Sequence, residues 1–161
     1  MSSIIGYKNV NGRFVGYDES MSGLVDDLLP IDAPEVLAWL ASQPTPKAVA
    51  WDKIKTERDR RIQNGGYKVG TKWYHSDTFS RTQQMGLVML GANIPANTPW
   101  KTMDGSFVVM TQTLAGQIFG AAAASDIAIF TAAETHRAAM EASADPAAYD
   151  YSTGWPAIYG A

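Results

Sequence analysis

The sequence predicts an α+β fold, with helices packed on short antiparallel hairpins and a long alanine-rich C-terminal helix as its spine. Three observations carry this. Asn11-Gly12 and Asp104-Gly105 each give a hairpin signal, the first the stronger because Asn-Gly suits a turn with positive φ at both centres. Trp51, Ile54, Arg58 and Ile62 recur at three- and four-residue steps, the spacing of one helix face. Leu114, Ile118, Ala122, Ile129, Ala133, His136 and Met140 form a second such stripe in an alanine-rich stretch.

Taken in order, residues 4–8 and 13–17 read as a hairpin, which is marginal alone and must pack elsewhere. Asp32 is placed to cap a short helix, with Pro34 in its first turn and Val36, Leu37, Trp39 and Leu40 following to about Ser42. Gln43-Pro44-Thr45-Pro46 breaks it. A second helix runs from about Lys47 to Asn64, with Lys55–Asp59 and Glu57–Arg61 spaced for ion pairs. Gly65-Gly66 stops that helix, and Tyr67 to Tyr74 gives a hairpin turning at Gly70-Thr71. Ser80-x-x-Gln83 reads as a capping box before Met85, Val88, Met89 and Leu90, with Asp77 an alternative cap one turn earlier; Gly91 closes that helix. Around Asp104-Gly105, residues 107–110 read as a buried strand. Thr111 or Thr113 starts the long helix, which ends near Ala142 before Asp145-Pro146. The organisation expected is a leader over residues 1–46, a core over 47–144 and an aromatic tail over 145–161.

The composition, 46% apolar and 18% charged, fits a folded globular chain. No cysteine is present, so disulfides and thiolate metal sites are excluded. Residues 1–20 lack the pattern of a secretory signal, and no unbroken run of about 18 apolar residues suggests a membrane span. The mildly acidic net charge of −3 argues against nucleic-acid binding. Charge is nevertheless segregated. Residues 47–81 carry nine Lys or Arg and four Asp or Glu, whereas each flank carries two basic and six acidic side chains. The middle segment therefore meets something acidic, either a partner or the protein's own flanks.

One long mixed pattern stands out. It runs Trp51-x-x-Ile54-Lys55, Arg58-Asp59-Arg60-Arg61, Gly65-Gly66-Tyr67-x-Val69, Tyr74-His75-Ser76-Asp77, Ser80-Arg81 and Gln84, and continues in Trp100-Lys101-Thr102-Met103-Asp104-Gly105 and Ala133-Glu134-x-His136. Together these resemble an uncharacterised domain of bacteriophages and prophages that occurs in tail fibre and tail-fibre-assembly-type proteins. The resemblance spans residues 48–142. It implies a role in the phage virion tail or in the cytoplasm of the infected bacterial host. It also implies a tail fibre or baseplate protein as partner, acting in tail assembly or host attachment, with a homotrimer as one implied state. It brings no catalytic residue.

Weighed for chemistry, His75-x-Asp77 lacks the further ligands a metal needs, and Asp77 is better spent as a helix cap. A Ser76, His136, Asp77 relay has no nucleophile-elbow pattern to support it. Asp126 and Glu134 are eight apart and read as solvent-facing rather than as a glycosidase pair. Gly65-Gly66 lacks the Lys-Ser/Thr of a phosphate loop. No cofactor, metal or catalytic set is expected. Lys53, Lys55, Arg58, Arg60 and Arg61 are spread around a helix, and Arg58 is expected to be partly buried on Asp77 or Asp59, with Arg81 in a similar role. Trp51, Arg58, Tyr67, Trp73, His75, Asp77 and Arg81 are read as a structural hub. Tyr7, Phe14, Tyr17, Tyr149, Tyr151, Trp155 and Tyr159 are read as partner-binding aromatics, with the tail ones either docking on a partner or covering their own core. The function expected is non-enzymatic protein–protein binding: an assembly factor or chaperone for the fibre, or a retained virion part. The alternatives are a receptor-binding tip that engages host surface glycan through Trp155, Tyr149 and Tyr151, and a cell-wall glycan hydrolase.

Overall fold

The computed structural model describes residues 4–21 and 27–160, in two separate units that divide at Thr45/Pro46. In the first, β1 (Ile4–Val10) and β2 (Arg13–Asp18) form an antiparallel hairpin. Asn11 and Gly12 have φ of 52° and 82°, the positive pair that matches the turn to strand twist. Tyr7 exchanges backbone hydrogen bonds with Leu29. Helix α1 (Pro34–Ser42) lays Trp39 against the rings of Tyr7 and Phe14, at 6.2 and 5.6 Å. Asp32 does not cap α1. The N-cap is Ala33, without a side-chain hydrogen bond, and Pro34 opens the helix with no N–H to satisfy.

The second unit is α+β. It contains α2 (Pro46–Asn64), the hairpin β3 (Tyr67–Val69) with β4 (Lys72–Tyr74), α3 (Thr78–Leu90), the hairpin β5 (Pro99–Lys101) with β6 (Phe107–Val109), and α4 (Gln112–Ala142). Helix α2 begins on Pro46 itself, a residue that suits a first turn but not a helix interior. Thr111 caps α4 by accepting from Leu114 N–H at 3.1 Å. The buried stripe of α4 is Ala115, Ile118, Ala122, Ile129, Ala133, His136 and Met140. It matches the stripe read from the sequence except that Ala115 replaces the half-buried Leu114.

Two clusters line that stripe. Toward its start, Tyr67, Tyr74 and Met110 pack with Ala115, Ile118 and Ala122. Toward its end, Ala50 and Ile54 of α2 pack with Ala133 and Met140. Small α4 side chains let α2 and α3 come close, so the core gains density rather than bulk.

Of the two caps the sequence offers for α3, Asp77 holds the place: the helix starts at Thr78, and Asp77 accepts from both Ser80 N–H and Ser80 Oγ, so Ser80 is a donor and forms no capping box. Two further local expectations are corrected. Residues 107–110 are not a buried strand. They alternate, with Phe107 and Val109 outward, Val108 half-buried and Met110 buried, as a two-stranded ribbon with one covered face must. The inner face of α3 is Gln84, Leu87 and Val88, which leaves Met85, Met89 and Leu90 exposed.

Gly66 has φ of +68°, and a Cβ there would lie 2.3 Å from Met103 Sδ and 3.0 Å from Tyr74 O. Gly66→Ala should therefore cost about 1–3 kcal/mol, read as a lower urea midpoint with unchanged slope. Gly86→Ala, at a mid-helix site with open space, should hold or raise the midpoint.

Candidate functional site

Of the residues read as a hub, Tyr67 and Asp77 lie beside Arg81, whereas Trp51, Arg58 and Trp73 make their contacts elsewhere. Arg81 Nη1 and Nη2 donate to the two carboxylate oxygens of Asp126 at 2.7 and 2.8 Å. Its Nε donates to Ser76 O at 2.6 Å and Nη2 also reaches Ile62 O at 3.2 Å. Its guanidinium lies 5.5 Å from the Tyr67 ring centroid. One side chain of α3 thus holds the end of α2, the loop after β4, strand β3 and the middle of α4. Planar bidentate geometry and five fixed donors suit arginine alone to this place. The pair, and the neighbouring tyrosine and Asp77, keep the Arg81 pKa above its ordinary value. Asp126 is therefore half-buried in an ion pair, not solvent-facing as the sequence suggested; the isolated charge on an apolar helix marked a partner.

Buried polar groups complete the hub. Ser76 Oγ accepts from Gly66 N–H at 2.9 Å. Tyr67 Oη donates to Gln84 Oε1, and Gln84 Nε2 donates to His75 O at 3.0 Å. Burial pushes the Tyr67 hydroxyl pKa up, and burial does the same for Tyr74. Met103 N–H donates to Trp73 O at 2.9 Å, and Lys72 Nζ donates to Asp104 at 2.7 Å, so the β5–β6 hairpin is tied to the β3–β4 hairpin. Among the described residues, no three His, Asp or Glu come together as a metal site.

The basic stretch is largely satisfied from within. Arg60 and Arg61 share Glu57, Lys55 meets Asp52, and Arg58 meets Asp59 while lying 5.0 Å from the Phe130 ring centroid. The sequence-predicted Lys55–Asp59 pair does not form, because Arg58 holds Asp59. Trp51 is sandwiched by Lys55 and Arg137.

The tail aromatics lie on their own unit. Tyr149, Tyr151 and Trp155 are half-buried on the α2–α4 cluster. Trp155 stacks at 4.9 Å on the buried His136, takes the Arg61 guanidinium at 5.2 Å on its ring, and donates Nε1–H to Tyr151 O at 2.7 Å. Tyr149 Oη is 3.0 Å from His136 Nδ1. Tyr159 meets Trp73 edge-on, and its N–H donates to Gly65 O at 2.8 Å. Tyr7 and Phe14 pack on Trp39, and Tyr17 is half-buried opposite Gly6 in the first hairpin. These positions use much of the aromatic area in internal packing.

What is left outward is the far side of α4. Gly116, Gly120, Ala123, Ile127 and Phe130 are all exposed, at alternating four- and three-residue steps, with Ile127 68% and Phe130 48% exposed. Glu134, Arg137 and Glu141 continue that seam with charge. An 18-residue window of α4 has mean hydropathy 1.4 with 22% of it buried, so by length and composition alone this helix could cross a membrane. No unbroken apolar run had signalled this, because Ser125 and Asp126 interrupt the stretch. The seam was missed for the same reason that the core stripe was found: in an alanine-rich helix, both faces read as apolar.

Arg81→Lys should lose the fork on Asp126 and lower stability by about 1–3 kcal/mol, while Arg137→Lys, in exposed pairs, should leave the midpoint in place. Hydrogen bonds from Ser80 hold the Asp77 pKa below its ordinary value, and those from Arg60 and Arg61 do so for Glu57. A carboxylate depressed on folding stabilises above its unfolded pKa and loses that contribution as pH falls through the folded one. Stability should thus drop in acid below about pH 4, and Asp77→Asn should flatten part of that drop in pH-dependent urea melts.

The family model described as Domain of unknown function (DUF4376) matches residues 45–153. No curated protein and no solved structure matches the chain. The matched span takes in the Arg81 hub, both of its hairpins and the whole of α4. The chain belongs to the DUF4376 family.

Proposed function

We propose that this chain is a phage tail accessory protein acting by protein–protein binding, as a tail fibre assembly factor or as a retained tail fibre or baseplate component. The resemblance of residues 48–142 to the tail-associated domain supports the setting. The observation that carries the mode of action is the outer seam of α4.

A helix this apolar normally hides most of its surface. Here five successive seam positions, Gly116 to Phe130, face outward. Alternating three- and four-residue steps fit the holes of a second helix, and the two glycines and Ala123 let its backbone approach closely. The occupant is a helical segment of the fibre or baseplate protein. Ile127 and Phe130 supply the apolar anchor, and Glu134, Arg137 and Glu141 set register at the charged end. Burying one such leucine-sized side chain is worth about 1.5–3 kcal/mol, enough for two anchors to decide capture.

Co-expression with the neighbouring fibre gene product should capture that protein on this chain. Ile127→Glu and Phe130→Glu should each cut capture about tenfold or more; the melting midpoint should hold for Ile127→Glu, whereas Phe130→Glu also removes the ring under Arg58. Full capture by the double variant would remove α4 from the interface. Loss of a trimer mass on mass photometry, with capture intact, would assign the seam to copies of this chain. Normal particles assembled without the protein would defeat the assembly role.

A further inference from the structure

A second surface stands apart from the α4 seam. His75, Phe79, Ser80, Gln83, Trp100, Lys101 and Phe107 line an open cleft of about 430 Å³ between the first turns of α3 and one face of the β5–β6 hairpin. We propose that this cleft binds a sugar ring that carries a carboxylate.

Two exposed aromatic rings flank it. Phe79 is 72% and Phe107 66% exposed, unlike the half-buried tail aromatics. Apolar rings of this kind cover the C–H face of a pyranose, as they cover other flat apolar faces. Between them stand polar groups, one of which, His75, acts electrostatically on Asp77. The side chains of His75, Gln83 and Lys101 make no hydrogen bond or ion pair among the described residues, in a unit where most arginines are paired. The Trp100 indole Nε1 is buried and makes no hydrogen bond.

The charge selects an anion. Lys101 lies in the cleft and no carboxylate lines it. Two acids close by in sequence are already engaged: Asp77 accepts from Ser80, and Asp104 accepts from Lys72, Thr102 and Ser106. Lys101 pairs with Phe107, so those two side chains stand on the same face of the ribbon beside the cleft. A polyhydroxylated ring needs only side-chain donors and acceptors, which is what the cleft offers.

The test is titration of the isotope-labelled full chain with galacturonate, glucuronate and N-acetylneuraminate, each against galactose, followed by amide and indole NMR signals. At least one acidic sugar should move the Trp100 indole signal and the Phe79, Lys101 and Phe107 amides. Phe79→Ala and Phe107→Ala should each weaken that binding about tenfold, and Lys101→Gln should erase the preference over galactose. Both phenylalanines are mostly exposed, so melting midpoints should stay in place. Three outcomes overturn the proposal: no shift with any of the acidic sugars at millimolar concentration, shifts that survive both alanine variants, or shifts given by an acidic peptide and by none of the sugars.

Discussion

The fork between Arg81 and Asp126 is the contact on which the rest of the DUF4376 unit hangs. Neither group alone would be tolerated where it sits. Asp126 interrupts a long apolar stretch of α4, and Arg81 lies under the α3 turn against Tyr67. Each pays part of the other's desolvation, and carbonyls of Ser76 and Ile62 take the remaining donors. Such a pair contributes more to which arrangement forms than to how stable it is. It fixes the rotation of α4 about its own axis, and that rotation decides which alanines are core and which residues face out.

The same logic disposes of the charge segregation that the sequence displays. A net positive middle between acidic flanks invites an external acidic ligand. In the fold, most of that charge is consumed within the second unit: on Glu57, Asp52 and Asp59 of α2, on Asp104 of the second hairpin and on Asp126 of α4. Arginines in this segment also act as flat covers, on Phe130, Trp155 and Tyr67. Lys68 of this stretch and Lys101 outside it each lie beside a concave surface.

Much of the fold was legible because its punctuation is local. Asn11-Gly12, Gly65-Gly66, Gly91 and Asp145-Pro146 mark turns and stops by backbone geometry that needs no tertiary context. The inner stripe of α4 was legible through its larger residues, Ile118, Ile129 and Met140. Partner choice was not. Asp32 has the chemistry of a cap, yet Ala33 holds that place; for α3 the sequence offered both Ser80 and Asp77, and only the fold decides for Asp77. Phe107 looked buried because a run of four apolar residues does not say which face of a ribbon is covered. The role of Asp126 required the position of Arg81, 45 residues away.

The reliance of both apolar clusters on α4 also bears on how the unit is made. A ribosome delivers residues 46–111 before any of α4 exists. Tyr67, Tyr74, Met110, Ala50 and Ile54 then have no surface to close upon, because their shared wall is Ala115 to Met140. Domains tend to fold as whole units once the needed chain has emerged. Here the needed piece comes last, so the nascent chain carries two unfinished apolar clusters until the final helix winds. Its high alanine content makes that winding quick and local.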